Sequence, residues 1–392
     1  MAEIRTNRKI FTRDFTLGFL SRLTFQSAHH ILIPTLPIYL SRLGSGEAEI
    51  GILIGVFGVS SLALRPFIGR ALIKKPEKNI MIAGLLLFAF VAIAYFVVQP
   101  FWPFLAVRLI QGIGFAFYST ASFVFIANIS QAARLGQSLG YFFLAPNLSL
   151  ALIPALGIFI INRFSFNVLF LGCLALSLTS LFITAALGKR EGVPSKASST
   201  EEGPLLCWKA LPPSIVAFFS HIVWGAVSTF FPLYAVNQGV NPGFFFTAIA
   251  IMLILGRALG GKILDLYSRE RVILYCLITP VISMGVLSCS KTQPLFILVA
   301  AVWGAGHAFL TPSLMAYTLD RTGSLRGPAI GTFTAISDFG QLLGPMVMGI
   351  VIRWTSYRMM FFSLALICLV NLVYFYYFVR KAERERRQNL SS

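Results

Sequence analysis

The chain has 392 residues, of which 57% are apolar and only 12% are Asp, Glu, Lys or Arg. Soluble domains carry about 25% charged residues, so this composition excludes a water-soluble fold and predicts a chain embedded in a lipid bilayer. The formal net charge is +18, but the basic residues form neither an amphipathic patch nor a nucleic-acid-binding motif, so we expect no nucleic-acid partner.

Apolar runs recur along the chain, each of about 20 residues and long enough to cross a hydrocarbon layer of roughly 30 Å as a helix. The first six predicted spans lie near residues 15–41, 47–72, 79–99, 103–127, 137–161 and 166–187. After a polar stretch, six more lie near residues 211–236, 243–264, 271–290, 294–318, 328–352 and 358–379. The sequence therefore predicts an all-α membrane protein with 12 transmembrane helices.

The twelve spans divide into two similar groups. Residues 1–187 are expected to form an N-terminal six-helix bundle and residues 211–392 a C-terminal one, joined by a cytoplasmic linker over residues 188–210. A shift of about 192 residues superposes the two groups and places Arg65 and Gly69 on Arg257 and Gly261. Two pseudo-symmetric bundles that run in the same direction favour a binding site between them, near the bilayer midplane.

The basic residues lie mainly in alternate loops. With both termini on one side, that side carries 23 Lys and Arg residues, the other side carries 5, and the spans carry 4. Cytoplasmic loops hold the excess of Lys and Arg, so both termini are predicted to be cytoplasmic. The five cysteines form no CxxC or Cys/His spacing, and no metal site is expected.

Two interhelical loops carry related signatures. After span eight, Gly261 to Asp265 followed by Arg269 resembles the G-x-x-x-D-R-x-G-R loop of the major facilitator superfamily. After span two, Arg65 and Gly69 fit the same loop, although Ile73 stands where the aspartate is expected.

Motifs inside three spans extend this resemblance. In span four, residues 108–114 read Arg-Leu-Ile-Gln-Gly-Ile-Gly and resemble the R-x-x-Q-G-x-G motif of proton-coupled members of the family. The family's exporters carry a Gly-Pro-x-x-Gly motif in span five, where this chain has Pro154 and Gly157. The full Gly-Pro pair, Gly344 and Pro345, occurs in span eleven.

The resemblance covers essentially the whole chain and is strongest to bacterial drug:proton antiporters and sugar-efflux permeases. It implies a monomeric carrier in the bacterial inner membrane that moves a small molecule by alternating access, with spans one, four, seven and ten lining the cavity. The proton gradient, not a cofactor, would supply the energy. The resemblance also implies gating or conformational roles for the motif residues, which are Arg65, Gly69, Arg257, Gly261, Asp265, Arg269, Pro154, Gly157, Gly344 and Pro345.

Polar side chains inside the spans are the candidates for function, because a charged residue at the bilayer centre costs about 2.5–3.5 kcal/mol. In span one, the spacing of Arg22, Gln26 and His29 places all three on one helical face. Spans four, seven and ten carry comparable stripes, and Asp338 is the one acidic residue well inside a span. The predicted substrate-binding or proton-coupling residues are Arg22, Gln26, His29, Arg108, Gln111, His221, Trp224, Trp303, His307, Asp338 and Gln341.

Each candidate also has a structural interpretation. A buried histidine could donate to a neighbouring backbone or hydroxyl group, and Arg22 could extend toward the interface. Arg108 could tie span four to a carbonyl group of another helix. Asp338 could bond Thr334 or Gln341 one turn away.

The pattern favours proton-driven transport, in which protonation of Asp338 or of a histidine biases the two access states. Two arginines against one aspartate favour a small amphipathic substrate with an anionic group. Lipophilic drugs, sugars and siderophores stay open as substrates, as does uptake in place of efflux. A non-transporting receptor of the same shape also stays open, whereas an intramembrane enzyme is disfavoured because no nucleophile–base pair or HExxH helix is present.

Overall fold

A computed structural model describes residues 11–130, 135–188, 207–266, 268–322 and 326–380 of the chain. Within these ranges the protein is helical and contains no strand. A 3-10 turn, Trp208–Ala210, precedes α9, and a π-helical segment, Phe375–Arg380, follows α14. The α-helices are α1 (Arg13–His30), α2 (Leu32–Arg42), α3 (Glu47–Lys74), α4 (Glu77–Ala94), α5 (Trp102–Ile129), α6 (Leu135–Phe142), α7 (Leu144–Arg163), α8 (Phe166–Ala185), α9 (Leu211–Asn237), α10 (Gly243–Leu266), α11 (Arg269–Leu287), α12 (Gln293–Thr322), α13 (Arg326–Trp354) and α14 (Tyr357–Tyr374).

These helices make twelve passes, because α1 with α2, and α6 with α7, each form one pass. Among the described residues, ten segments are long and apolar enough to cross a membrane by length and composition. The other two passes are the interrupted α1–α2 pair and α10, whose apolar part, Gly243–Gly256, is shorter. The prediction of an all-α protein with 12 transmembrane helices is confirmed.

Two of the predicted spans, 15–41 and 137–161, are not continuous helices. The breaks fall at Ile31 and Phe143, three residues before Pro34 and Pro146. A proline has no N–H for the carbonyl four residues earlier, and its ring crowds that carbonyl. The helix is therefore interrupted at the residue that follows the affected carbonyl, which the apolar pattern alone does not reveal.

The internal repeat is visible in individual hydrogen bonds. The Tyr39 hydroxyl donates to the Tyr95 carbonyl at 3.3 Å, and the Tyr234 hydroxyl donates to the Ser290 carbonyl at 2.5 Å. Both pairs are separated by 56 residues. Equivalent tyrosines thus bind equivalent turns in the N-terminal half (α1 to α8) and the C-terminal half (α9 to α14).

The glycines of the span-four motif and its repeat also occupy equivalent positions. A Cβ atom on Gly112 would lie 2.3 Å from the Phe57 carbonyl oxygen of α3, and one on Gly304 would lie 3.1 Å from the backbone of α10. Gly114 and Gly306 pack in the same manner against α4 and α11. Small residues let membrane helices approach closely, so each motif holds its helix between two neighbours.

The two halves meet at one end of the bundle. We call the end where α1 begins the proximal end and the opposite end the distal end. Near the distal end, a Cβ atom on Gly51 would lie 2.3 Å from the Pro345 carbonyl oxygen, and one on Gly55 would lie 2.5 Å from Met346 Cγ. The backbones of α3 and α13 therefore touch across the boundary between the halves.

Further contacts complete this distal seal. Helix α2 packs on α9, and α7 packs on α10, where Ile158 lies 3.2 Å from a Cβ atom built on Gly243. The Tyr357 hydroxyl donates to Glu47 Oε1 at 3.2 Å. Toward the proximal end, by contrast, the buried apolar residues form a separate cluster in each half, around Tyr118 in the N-terminal half and around Leu310 in the C-terminal half. The structure is thus closed at the distal end and open at the proximal end.

Replacing Gly55 with leucine should hold the distal ends apart, because its Cβ atom would lie 2.5 Å from Met346 Cγ. The readout is thiol labelling of an Ala48→Cys variant in a Cys289→Ser background, since Ala48 is 8% exposed in the seal and Cys289 is an exposed thiol. We expect severalfold faster labelling with Gly55→Leu and no change with the control Gly140→Leu, whose Cβ atom would meet nothing within 4 Å. Equal labelling rates in the two variants would show that Gly55 does not contribute to the seal.

Candidate functional site

A cavity of about 140 Å³ lies between the halves, on the proximal side of the distal seal. Its walls come from α1, α2, α3, α5, α9 and α13. The resemblance implied α12 as a lining helix, but α12 contributes none of the lining residues, whereas α3 and α13 both do. The lining residues are His29, Leu32, Ile33, Leu36, Ile54, Gly55, Phe57, Gly58, Ser61, Leu62, Arg65, Arg108, Phe115, Gly225, Ser228, Thr229, Asp338, Gln341, Leu342 and Pro345.

An ion pair spans the cavity from one half to the other. Arg65 Nη1 of α3 lies 2.5 Å from Asp338 Oδ2 of α13. The two side chains are 30% and 36% exposed, so both are accessible from the open part of the cavity. The alternative that Asp338 bonds Thr334 is not observed, because that hydroxyl donates to the Ile330 carbonyl at 2.9 Å. The sequence had placed Arg65 in a loop motif and did not predict this partner.

Arg108 of α5 also lines the cavity and is 4% exposed. Its Nε donates to the Leu53 carbonyl and its Nη2 to the Ile54 carbonyl, both at 2.8 Å, while Nη1 donates to Gln111 Oε1. The guanidinium carbon lies 5.0 Å from the centre of the Phe57 ring. Arg108 therefore ties α5 to carbonyl groups of α3, which was the structural alternative considered for it. Gln111 supports it from behind and is not itself a lining residue.

Arg22 is buried within the N-terminal half. Its Nη1 donates to the hydroxyls of Ser119 at 2.9 Å and Ser122 at 3.0 Å, and its guanidinium carbon lies 4.7 Å from the centre of the Phe123 ring. Arg22 Nε and Gln26 Oε1 are buried and have no hydrogen-bond partner in the described part of the chain. Neither side chain lines the cavity in this state.

The neighbouring histidines of α1 have different surroundings. His29 lines the cavity, with its ring centre 4.9 Å from that of Phe57 and 4.9 Å from that of Phe115. His30 points away, and its Nδ1 lies 3.0 Å from Ser149 Oγ. The two rings thus lie on different sides of α1, as the rotation of about 100° per residue in a helix requires.

The aromatic candidates of the C-terminal half do not line the cavity. Trp224 stacks on His307 with 4.7 Å between ring centres, and Trp303 lies 5.4 Å from Trp224. His221 Nδ1 is bonded to the Ala217 carbonyl at 2.8 Å. These four residues lie inside the C-terminal half in this state, so the prediction that they face the same cavity as Arg108 is not met here.

The glycine–proline motif residues occupy the junctions between helices. A Cβ atom on Gly157 would lie 2.9 Å from the Ile31 carbonyl oxygen, and one on Gly344 would lie 2.3 Å from the carbonyl oxygen of residue 222. Pro154 is buried within α7, and Pro345 lines the cavity beside the seal. All four lie where α7 and α13 contact other helices.

The loop signature after α10 is described only in part. Arg269 forms an ion pair with Asp320 of α12 and donates to the Ala316 carbonyl at 3.1 Å. The backbone of Arg257, Gly261 and Asp265 continues α10, but their side chains lie outside the described residues.

Sequence reasoning missed the contribution of α3. Ile54, Gly58, Ser61 and Arg65 recur at intervals of four, three and four residues, and all four line the cavity. This spacing places them on one helical face and could have identified the wall. The Ser61 hydroxyl is buried and has no hydrogen-bond partner among the described residues.

The geometry is that of a binding site with mobile walls. No group of three or more His, Cys, Asp or Glu side chains suited to a metal ion occurs in the described ranges. Opposite charges on different halves, with apolar and aromatic walls between them, can bind a small polar or charged molecule. Because the arginines come from the N-terminal half and the aspartate from the C-terminal half, the site changes whenever the halves move.

Comparison with known proteins agrees with this architecture. The sequence model of the Major Facilitator Superfamily matches residues 15–285 and 214–392. Multidrug resistance protein 2 of Bacillus subtilis is 25% identical over 339 residues, which are 82% of this chain and 84% of that protein. The staphylopine export protein of Staphylococcus aureus is 24% identical over 373 residues, 91% and 93% of the two chains. The quinolone resistance protein NorA of the same species is 24% identical over 358 residues, 88% and 89% of the two chains.

Solved structures share the fold. The nucleoside transporter NupG superposes with a TM-score of 0.71 at 17% identity, covering 93% of this chain and 98% of that one. The human organic anion transporter MFSD10 superposes with a TM-score of 0.69 at 16% identity, covering 93% and 99%. With the family match extending over both halves, the two bundles and the cavity between them identify this chain as a membrane transporter of the Major Facilitator Superfamily.

Proposed function

We propose that this protein exports a small amphipathic organic molecule across the bacterial inner membrane in exchange for protons. Both termini lie in the cytoplasm in this proposal, so the proximal opening faces the cytoplasm and admits substrate from inside the cell. Relatives named for multidrug resistance, quinolone resistance and staphylopine export support the outward direction. The protein acts as a monomer, and the proton gradient supplies the energy without a cofactor.

The Arg65–Asp338 ion pair carries the proposal, because it joins the two halves inside the cavity. A proton on Asp338 removes the negative charge that holds Arg65, and the electrostatic attraction between these two side chains is lost. A ligand or proton shifts a two-state equilibrium only by interacting differently with the two states. A contact between the halves that depends on protonation meets this requirement.

The charges of the cavity bear on the substrate. Arg65 and Arg108 stand against Asp338 alone, and a net positive site attracts an anionic group. The remaining walls are largely apolar, with aromatic rings from Phe57 and Phe115. An amphipathic molecule with at least one anionic group matches this surface.

The two cavity arginines have separate roles in this proposal. Arg108 has three donor atoms engaged with α3 and Gln111, so it positions the wall and sets the local charge. Arg65 has its ion pair with Asp338 and is accessible from the cavity, so it responds to substrate and protons. Rocking of the bundle 1–187 against the bundle 211–392 then alternates access.

Asp338→Asn should abolish gradient-driven transport, because an amide cannot take up and release the coupling proton. The measurement uses proteoliposomes with an imposed pH gradient and norfloxacin as the first probe, followed by compounds that stabilise the protein in a thermal-shift screen. We expect at least about a tenfold loss of gradient-driven flux but continued exchange of labelled for unlabelled probe without a gradient.

The control for this variant is Glu49→Gln, which changes an exposed acidic residue that does not line the cavity. Gradient-driven flux that survives in Asp338→Asn would refute the coupling role of this residue. Binding without any exchange in the unmodified protein would indicate a receptor in place of a carrier.

Arg108→Ala should destabilise the fold, because hydrogen bonds to a charged group contribute about 1.5–3 kcal/mol each. We expect a loss of about 3 kcal/mol, seen as a lower melting temperature of the protein in detergent. Arg163→Ala, at an exposed position at the distal end of α7, serves as the control and should melt like the unmodified protein. An Arg108→Ala variant with normal melting but no substrate binding would instead assign Arg108 to substrate recognition.

A further inference from the structure

The charged groups around the cavity differ in how far they are already engaged. Arg108 is 4% exposed and bonded to two carbonyls and Gln111, and Arg22 is 4% exposed and bonded to two hydroxyls. Arg65 and Asp338 are 30% and 36% exposed and have a direct charged contact with each other. These two side chains are therefore the charges that a ligand in the cavity can reach.

Opening this pair has a different cost for each class of ligand. A simple anion that takes Arg65 leaves the Asp338 carboxylate without a partner, and a simple cation that takes Asp338 leaves Arg65 without one. Because the two side chains are only 30% and 36% exposed, leaving either charge unpaired is unfavourable. A molecule that carries both charges replaces one ion pair with two and leaves neither side chain unpaired.

The rest of the cavity suits an aromatic or apolar body. The rings of His29, Phe57 and Phe115 lie beside one another in the cavity wall. The volume of about 140 Å³ is close to that of cavities that hold a single aromatic ring. The Ser61 hydroxyl, one turn from Arg65 and without a partner among the described residues, supplies a further hydrogen-bonding group.

We propose that the transported molecule is a zwitterion with an aromatic or apolar body, whose carboxylate binds Arg65 and whose ammonium group binds Asp338. This inference rests on the proposed function and specifies its substrate class. The ammonium group and the coupling proton compete for the same carboxylate, so the site holds one or the other. Such competition is what proton-driven export requires.

Other charged and titratable groups surround Asp338. Arg65 faces it from α3, and His221 of α9 is close enough to interact with it electrostatically. From α12, His307 stacks on Trp224 inside the C-terminal half, and Arg358 of α14 lies at the distal end near Cys289. Arg108 is a further cavity-lining residue. Asp338 is the one acidic residue among those that line the cavity, so its protonation removes the negative charge of the lining.

The test uses matched ligands and the purified full-length protein. The probes are phenylalanine, 3-phenylpropanoate and 2-phenylethylamine, with tryptophan, 3-indolepropionate and tryptamine as a larger set. Affinities are obtained from ligand-dependent thermal shifts. We expect each zwitterion to bind at least about tenfold more tightly than either of its singly charged counterparts, and its binding to weaken as the pH is lowered.

Two near-isosteric variants separate the charges. In Asp338→Asn, the zwitterion should bind no better than the carboxylate, and the pH dependence should disappear. In Arg65→Gln, the zwitterion should bind no better than the amine. Asp320→Asn, the control away from the cavity, should preserve all the ratios. Each ratio compares ligands on one protein, so a change in the variant's own stability does not affect it.

Four binding results would overturn the proposal. If the zwitterions of both sets bind no more tightly than the carboxylates, the cavity is a simple anion site. If they bind no more tightly than the amines, it is a simple cation site. Absence of binding by both zwitterions, or ratios that survive Asp338→Asn, would remove the ion pair from substrate recognition. If the ratios hold but gradient-driven flux of norfloxacin does not depend on Asp338, the site stands and proton coupling fails. If the ratios fail but gradient-driven flux does depend on Asp338, proton coupling stands and the zwitterion site fails.

Discussion

An ion pair between the two halves of this transporter is the interaction on which its proposed cycle depends. A charge in the bilayer interior costs about 2.5–3.5 kcal/mol on insertion scales, so Arg65 and Asp338 each need the other as long as no ligand is bound. They belong to different bundles, and their mutual neutralisation therefore depends on how the bundles are placed. Protonation of the Asp338 carboxylate is in this way linked to the relative position of the two bundles.

The two halves share a backbone plan but differ in their interior chemistry. The N-terminal half is held by polar contacts, such as those from the Ser21 hydroxyl to Tyr118 at 2.6 Å and to Thr184 at 2.7 Å. The corresponding region of the C-terminal half is apolar and contains the buried cluster of Val216, Leu310 and Phe375. In the cavity, the N-terminal half supplies two arginines and the C-terminal half supplies one carboxylate, so the two sides carry opposite charges.

Composition and periodicity were sufficient for the fold, because lipid requires every spanning segment to be a long apolar helix. The helix breaks were not predicted, since Pro34 and Pro146 act on the backbone and leave the apolar pattern unchanged. Spacing along α1 identified the helical face that carries His29, but it could not predict which side chains pair across helices. Asp338 was identified as a candidate from its depth, whereas its partner on α3 depends on how the bundles dock. The tryptophans were misplaced for the same reason, because a stripe on a helix does not tell which neighbour it faces.

The interruptions at Ile31 and Phe143 give the two bundles unequal stiffness. Helices α2 and α7, which follow these interruptions, both contact the C-terminal half, through α9 and α10. Their repeat counterparts, α9 and α13, run without interruption even though they contain Pro232 and Pro345. During rocking, bending would then concentrate at two elbows in the N-terminal bundle while the C-terminal bundle turns as a block. The N-terminal bundle would then change its internal shape during transport, whereas the C-terminal bundle would move with its helices in fixed positions.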